Sequence, residues 1–409
     1  MLRRMTDFAA SSQNAGYFSR ERVGFLFLNV GHFFDHMFML IFATVAVALA
    51  GQEGMSYREL LELLTPALVM FGVGSLPAGW LADRWSREGM IAVFFIGIGG
   101  SSIATGFANE NWQIMLGLGA IGTFAAIYHP VGIAMVVEGQ EKVGRALGIN
   151  GVWGNMGLAA APLLTGWLIA ISSWRAAFIV PGIVAILVGL AYIAFCRQGR
   201  GVVRAAKRTV PDPGDHDLTR AVLIRVALAL TLTILFGGLI FHASAVVLPK
   251  LFSERLSDIT SDIGAVGTYA AIVLAIASFA QIVVGHLLDR FPARRILFLI
   301  ALLQIPALAL VASISGIPIV LASVLMMALI FGEIPIHDTI VTRYTRAAWR
   351  GRVFAVKFVL ALLVAAAVPS LIGTLHDNFG LDVLFFVLAA AAAGVALSAL
   401  ILPIARKVA

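Results

Sequence analysis

Gly79-Trp80-Leu81-Ala82-Asp83-Arg84-Trp85-Ser86-Arg87 stands where a long apolar run gives way to a short charged turn. A near copy, Gly285-His286-Leu287-Leu288-Asp289-Arg290-Phe291-Pro292-Ala293-Arg294-Arg295, closes another apolar run 206 residues later. In each copy an aspartate follows the glycine by four residues, an arginine comes next, and further basic residues follow. The glycine lets two helices approach closely. The acid sits at a helix end, where it can pair with arginines or a neighbouring helix N-terminus. A membrane helix that merely ends in charge requires neither a fixed spacing nor a second copy.

The composition agrees with a chain built in lipid. Of 409 residues, 60% are hydrophobic and 12% charged, against about 25% charged in soluble domains, and the mean hydropathy is +0.96. A spanning helix needs roughly 20 apolar residues, so twelve use about 240 and leave room for short loops. Continuous apolar runs without strict alternation point to helices rather than a barrel. Cys196 is the one cysteine, which excludes an internal disulfide and a thiolate metal cage. The N-terminal stretch, with Arg3 and Arg4 before Ser11-Ser12-Gln13-Asn14, has no signal-peptide pattern.

Helices are expected near 24–50, 58–82, 88–108, 112–138, 144–171, 174–196, 221–249, 262–289, 294–314, 317–342, 351–375 and 380–404. With an even number both termini share one side. The tails and loops on that side carry 24 of the 29 Lys and Arg residues. That asymmetry predicts cytoplasmic termini and a multi-pass protein of the inner (plasma) membrane. It also assigns the net charge of +7 to one membrane face and not to nucleic acid. The expected organisation is a cytoplasmic tail at 1–23, a six-helix bundle at 24–196, a basic linker at 197–220 and a second six-helix bundle with a short tail at 221–409.

The two bundles repeat. At an offset of 206, Gly79 falls on Gly285, Asp83 on Asp289 and His36 on His242; at 207, Gly144-Arg145 falls on Gly351-Arg352; at 208, His129 falls on His337. The charged turn resembles the loop 2–3 signature of the major facilitator superfamily, G-x3-D-[RK]-x-G-[RK], with Ser86 in place of the last glycine. The resemblance implies an all-α fold of twelve transmembrane helices in two pseudo-symmetric halves, related by an axis along the membrane normal. It also implies a central cavity lined by helices 1, 4, 7 and 10, and cytoplasmic latches formed by Gly79, Asp83, Arg84, Arg87 and Arg145 with Gly285, Asp289, Arg290 and Arg352.

Ionisable groups inside a bilayer are costly and are functional candidates by default. Helix 1 carries His32, Asp35 and His36 at i, i+3 and i+4, which share one helix face. Helix 4 carries His129, helix 7 His242, and helix 10 Glu333, His337 and Asp338. Lys357 lies near the cytoplasmic end of helix 11, where it can also snorkel to the surface. For each lone histidine, a buried hydrogen bond between helices is the competing explanation. A carboxylate beside imidazoles suits proton coupling, because both groups change charge with protonation. His286 and His216 are expected on the solvent side, without a role.

Helix 5 places Gly148, Gly157, Pro162 and Gly166 in a pattern similar to the antiporter motif of proton-driven exporters, G-x8-G-x3-G-P-x2-G-G, with Ala161 and Thr165 replacing two glycines. A glycine-rich packing face is the plainer explanation. Three patches resemble the fosmidomycin-resistance branch of drug:proton antiporters: His32-Phe33-Phe34-Asp35, Tyr128-His129-Pro130, and Trp153-Gly154-Asn155-Met156-Gly157 with Ala161-Pro162-Leu163-Leu164. Val131 stands where that branch carries an acid.

The sequence thus leads to a monomeric secondary transporter, not an enzyme. It would use alternating access for proton-coupled efflux of a small polar or amphiphilic organic compound. Its partners are that substrate, protons and the lipid bilayer. No cofactor is expected, and the absence of a P-loop motif assigns the driving force to gradients. Competing readings are transport of a transition metal or its chelate by the five histidines and three carboxylates, and proton-coupled uptake of an organic anion, for which Lys357 or Arg175 must face the cavity. A membrane sensor with a transporter fold is the non-transport alternative.

Overall fold

The computed structural model describes residues 20–50, 54–138, 143–198, 219–345 and 347–403. Twelve apolar helices account for nearly all of them. They are α1 (Arg20–Leu49), α2 (Tyr57–Arg84), α3 (Arg87–Gly106), α4 (Asn111–Val137), α5 (Val143–Ile171), α6 (Trp174–Arg197), α7 (Arg220–Arg255), α8 (Ile263–Arg290), α9 (Ala293–Ser313) and α10 (Pro318–Tyr344). The continuous stretch Ala347–Ile401 supplies α11 (347–379) and α12 (381–401), because Gly380 between them adopts φ 82°. At about 1.5 Å per residue an unbroken helix of that length would be more than twice as long as a bilayer core is thick. A left-handed glycine reverses the chain where a side chain would be strained.

The helix ends follow local chemistry. Ser86 caps α3 by accepting a hydrogen bond from the Gly89 amide at 3.0 Å, which explains its presence where the superfamily pattern has glycine. Ser56 and Glu59 form a reciprocal capping box at the start of α2, and Asp262 caps α8 through the Ala265 amide at 2.7 Å. α7 continues six residues beyond the expected end at 249, past Pro249. Several spans are interrupted where the sequence anticipated unbroken helices: α2 between Glu62 and Thr65, α8 at Phe279, and α10 at Glu333, between Gly332 and Ile334. α4 contains a π-turn over Tyr128–Gly132, where Pro130 lacks the N–H of a regular turn.

Small residues set the packing. α1 lies on α5 through Gly157 against the Phe33 backbone, α3 on α6 through Gly99 and Gly182, α2 on α4 through Gly122 against Ala67, and α7 on α12 through Phe236 against Gly394. The two halves meet where Gly166 and Pro162 of α5 abut Ile263 and Gly267 of α8. A second meeting point lies at the end opposite the basic turns. There Gly373 of α11 admits Arg58 of α2. His376 bonds Glu254 and Asp377 at 2.9 Å each, and Lys250 stands 5.1 Å from the Tyr57 ring centre. The expected N-terminal tail lies outside the described residues up to residue 19, and the basic linker lies outside them between 199 and 218.

Candidate functional site within the membrane span

α1, α4 and α5 build one polar cluster. The π-turn of α4 directs His129 toward α1, where its Nε2 is 3.1 Å from Oδ2 of the fully buried Asp35. One turn earlier on α1, Nε2 of His32 faces Nε2 of His36 at 3.1 Å. The other His32 nitrogen, Nδ1, donates to the backbone oxygen of Asn150 at 2.7 Å. That contact fixes the tautomer and turns the Nε2 lone pair into the cluster. His32, Asp35, His36 and His129 each offer one ligand atom, and these four atoms lie within 4.8 Å of one another.

A supporting frame holds the imidazoles. The Tyr128 hydroxyl donates to the Leu28 carbonyl at 2.7 Å and accepts from Asn150 Nδ2 at 2.8 Å, while Asn150 also donates to Asn29 at 3.0 Å. The Tyr128 ring stacks on His32 with centroids 4.9 Å apart. Asn150 and Gly154 were absent from the candidate site; as a buried amide in an apolar helix, Asn150 carried the signal that could have found it. The three patches singled out in helices 1, 4 and 5 converge here. Val131, the departure from the resembled branch's acid, is fully buried among apolar residues.

A second group forms around α10. Glu333 occupies the helix interruption, and its Oε1 accepts from Gln304 of α9 at 2.7 Å. Gly237 of α7 leaves the space that Oε2 fills. Among the described residues no lysine or arginine pairs with this carboxylate. His337 is buried, with Nε2 lacking a hydrogen bond; its amide donates to the Glu333 carbonyl at 3.2 Å, but the two side chains do not bond each other despite their i, i+4 spacing. Asp338 instead accepts from Lys357 at 2.5 Å. His242 is half-buried on α7, its ring edge-on to Phe241 with centroids 5.2 Å apart. His36 and His337 do not belong to one group of ligands.

The turn motifs sit apart from both groups. Arg87 bridges Asp83 at 3.2 Å and Glu138 at 3.3 Å, Arg84 covers the Trp80 ring at 4.4 Å, and Gly79 packs against Pro130 of the π-turn. Asp289, Arg290 and Arg145 are exposed, Gly285 makes no comparable close approach, and the Arg352 side chain lies outside the described residues. In α5, Gly157 and Gly166 are packing positions while Gly148 faces open space. Arg175 turns toward the carbonyls of Gly106 and Ala108 and stacks over Trp174. His286 is exposed and bonds the Ile282 carbonyl of its own helix, and His216 lies outside the described residues.

The family model described as Major Facilitator Superfamily matches residues 28–356. The chain belongs to the Major Facilitator Superfamily. It is a multi-pass secondary transporter and not an enzyme. It is similar to the 4-hydroxybenzoate transporter PcaK of Pseudomonas putida, with 23% identity over 334 residues and 72% of each chain covered. A probable 4-methylmuconolactone transporter of Cupriavidus pinatubonensis is 28% identical over 282 residues, covering 65% of this chain and 63% of that one. Among solved structures, a bacterial homologue of the human lysosomal transporter Spinster, inward-facing and unoccupied, superposes with a TM-score of 0.71 at 16% identity, covering 95% of both chains. That likeness concerns the fold of this superfamily member.

Proposed function

We propose that this protein is a proton-coupled transporter of a small organic acid, with Glu333 as the group that carries the proton. The observation behind this is the unequal partnering of two membrane carboxylates. Asp35 has His129 at 3.1 Å, whereas among the described residues Glu333 has only the neutral amide of Gln304. An uncompensated carboxylate in the membrane interior costs several kcal/mol. A proton removes that cost at Glu333, and an imidazole can offset it at Asp35. Moving an anion together with a proton also avoids carrying net charge against the membrane potential, worth about 2.3 kcal/mol per charge per 100 mV.

The named substrate of the PcaK relative, 4-hydroxybenzoate, supports the acid class, and the Lys357–Asp338 pair supplies a cation for which a substrate carboxylate can compete. In this reading the chain works as a monomer in the inner membrane with both termini cytoplasmic, the placement that the basic loops favour. The halves 24–196 and 221–409 rock about the path between them, and the Gly79 and Gly285 turns act as latches.

Proteoliposomes with an imposed pH gradient test this, using radiolabelled 4-hydroxybenzoate and related aromatic acids. Gradient-driven accumulation is expected in the wild type. Glu333→Gln is expected to abolish it while retaining substrate exchange without a gradient. Accumulation that survives in Glu333→Gln removes the assignment.

Efflux by antiport is the second reading. It is favoured by the α5 pattern at Gly148, Gly157, Pro162 and Gly166, in which Gly157 packs on α1 and Pro162 and Gly166 pack on α8. Proton movement opposite to substrate movement in the same vesicles would select it.

A further inference from the structure

Three imidazoles surround Asp35, more donor capacity than one carboxylate uses. The ring centroids lie 4.8 Å apart for His32 and His36, 5.5 Å for His32 and His129, and 5.6 Å for His36 and His129. Apart from the His129 contact at 3.1 Å, neither oxygen of Asp35 has a partner among the described residues, although the side chain is fully buried. Nε2 of His32, whose proton sits on Nδ1 toward the Asn150 carbonyl, accepts from Nε2–H of His36 at 3.1 Å, a nitrogen pair that a metal ion can bridge in place of that proton. Helix spacing explains how His32 and His36 come together, but not why His129 is bent in from α4 to join them.

We propose that His32, Asp35, His36 and His129 bind one divalent first-row transition-metal ion, of which Zn²⁺ is the representative case. Imidazole and carboxylate are the donors that such ions take. A tetrahedral ion at about 2.0–2.1 Å from each ligand sets the ligand atoms about 3.3 Å apart. The present ligand atoms span 3.1 to 4.8 Å, so inward adjustments of the order of 1 Å complete the shell. The outer support is already in place: His32 directs its second nitrogen to a backbone carbonyl, the arrangement that orients metal-bound histidines and strengthens them as ligands. Gly154 contributes the space in which both α1 imidazoles sit. This site is separate from Glu333 and stands whether or not Glu333 carries the proton.

The test uses tag-free, chelator-stripped protein in detergent, titrated with Co²⁺ and then with Zn²⁺. One equivalent of Co²⁺ is expected per chain, with the visible absorption of a four-coordinate ion, displaced by Zn²⁺. His36→Gln and Asp35→Asn should each weaken binding at least about tenfold, the scale of losing a coordinating or supporting group, while the surface variant His286→Gln leaves it unchanged. His129→Asn is a further ligand variant, and size-exclusion profiles establish which variants are folded. Sub-stoichiometric binding, or binding indifferent to the folded ligand variants, overturns the proposal. Loss of proton-driven flux with cobalt binding intact would instead sink the transport assignment and leave this one standing.

Discussion

Gly154 of α5 and His32 of α1 approach so closely that a methyl group on the glycine would lie 2.7 Å from Nε2 of the imidazole and 2.9 Å from Cδ2 of His36. The two α1 rings therefore have their positions because one residue on the facing helix has no side chain. The polar cluster depends on this helix contact as much as on its own donors.

Gly154→Ala is accordingly expected to push His32 and His36 off their shared line. Overpacking of this kind costs about 1–3 kcal/mol. A lower thermal midpoint and weaker Co²⁺ binding should appear together. An unchanged midpoint and spectrum would show that the rings are not held by this contact.

Gln304 is the partner of Glu333, so its loss leaves a buried carboxylate unsatisfied. Gln304→Leu should lower stability by about 1–3 kcal/mol, whereas Gln304→Leu combined with Glu333→Leu should recover much of that loss. The double-variant comparison, read from thermal unfolding in detergent, isolates the pair. Equal losses in the single and double variants would show that the hydrogen bond at 2.7 Å contributes little.

The seal at the end opposite the basic turns depends on Gly373, where an added Cβ would meet Arg58 Cγ at 2.7 Å. Gly373→Leu should part α2 from α11 there. Spin labels on cysteines introduced at Glu62 and Asn378, with Cys196 replaced by serine, should report a longer distance in that variant. The same distance distribution in both proteins would contradict the closure.

Ser86 replaces a glycine of the superfamily pattern and caps α3. Ser86→Ala should cost about 1 kcal/mol and Ser86→Gly only a few tenths, so the glycine variant should unfold closer to the wild type. A reversed order would assign Ser86 a role other than capping.

Much of the fold was legible along the chain because lipid allows so few backbone solutions. Every span must satisfy its own amides, so an apolar run of sufficient length reads as a helix. The two charged turns at Asp83 and Asp289 mark the repeat. Within α1 the 3.6-residue period alone put His32, Asp35 and His36 on one face. The interruptions at Tyr128–Gly132 and Glu333 were not legible, since Pro130 and Pro335 give notice of irregularity without its location or shape.

Sequence by itself determined the class of the molecule: a membrane transporter of the Major Facilitator Superfamily, with its costly polar residues on particular helices. Tertiary structure alone decided which of those residues meet. His129 joins Asp35, Lys357 joins Asp338, and Glu333 turns from His337 to Gln304. The reason is physical: periodicity fixes direction around one helix axis, whereas contact between helices depends on crossing geometry and on where a glycine lets two backbones close.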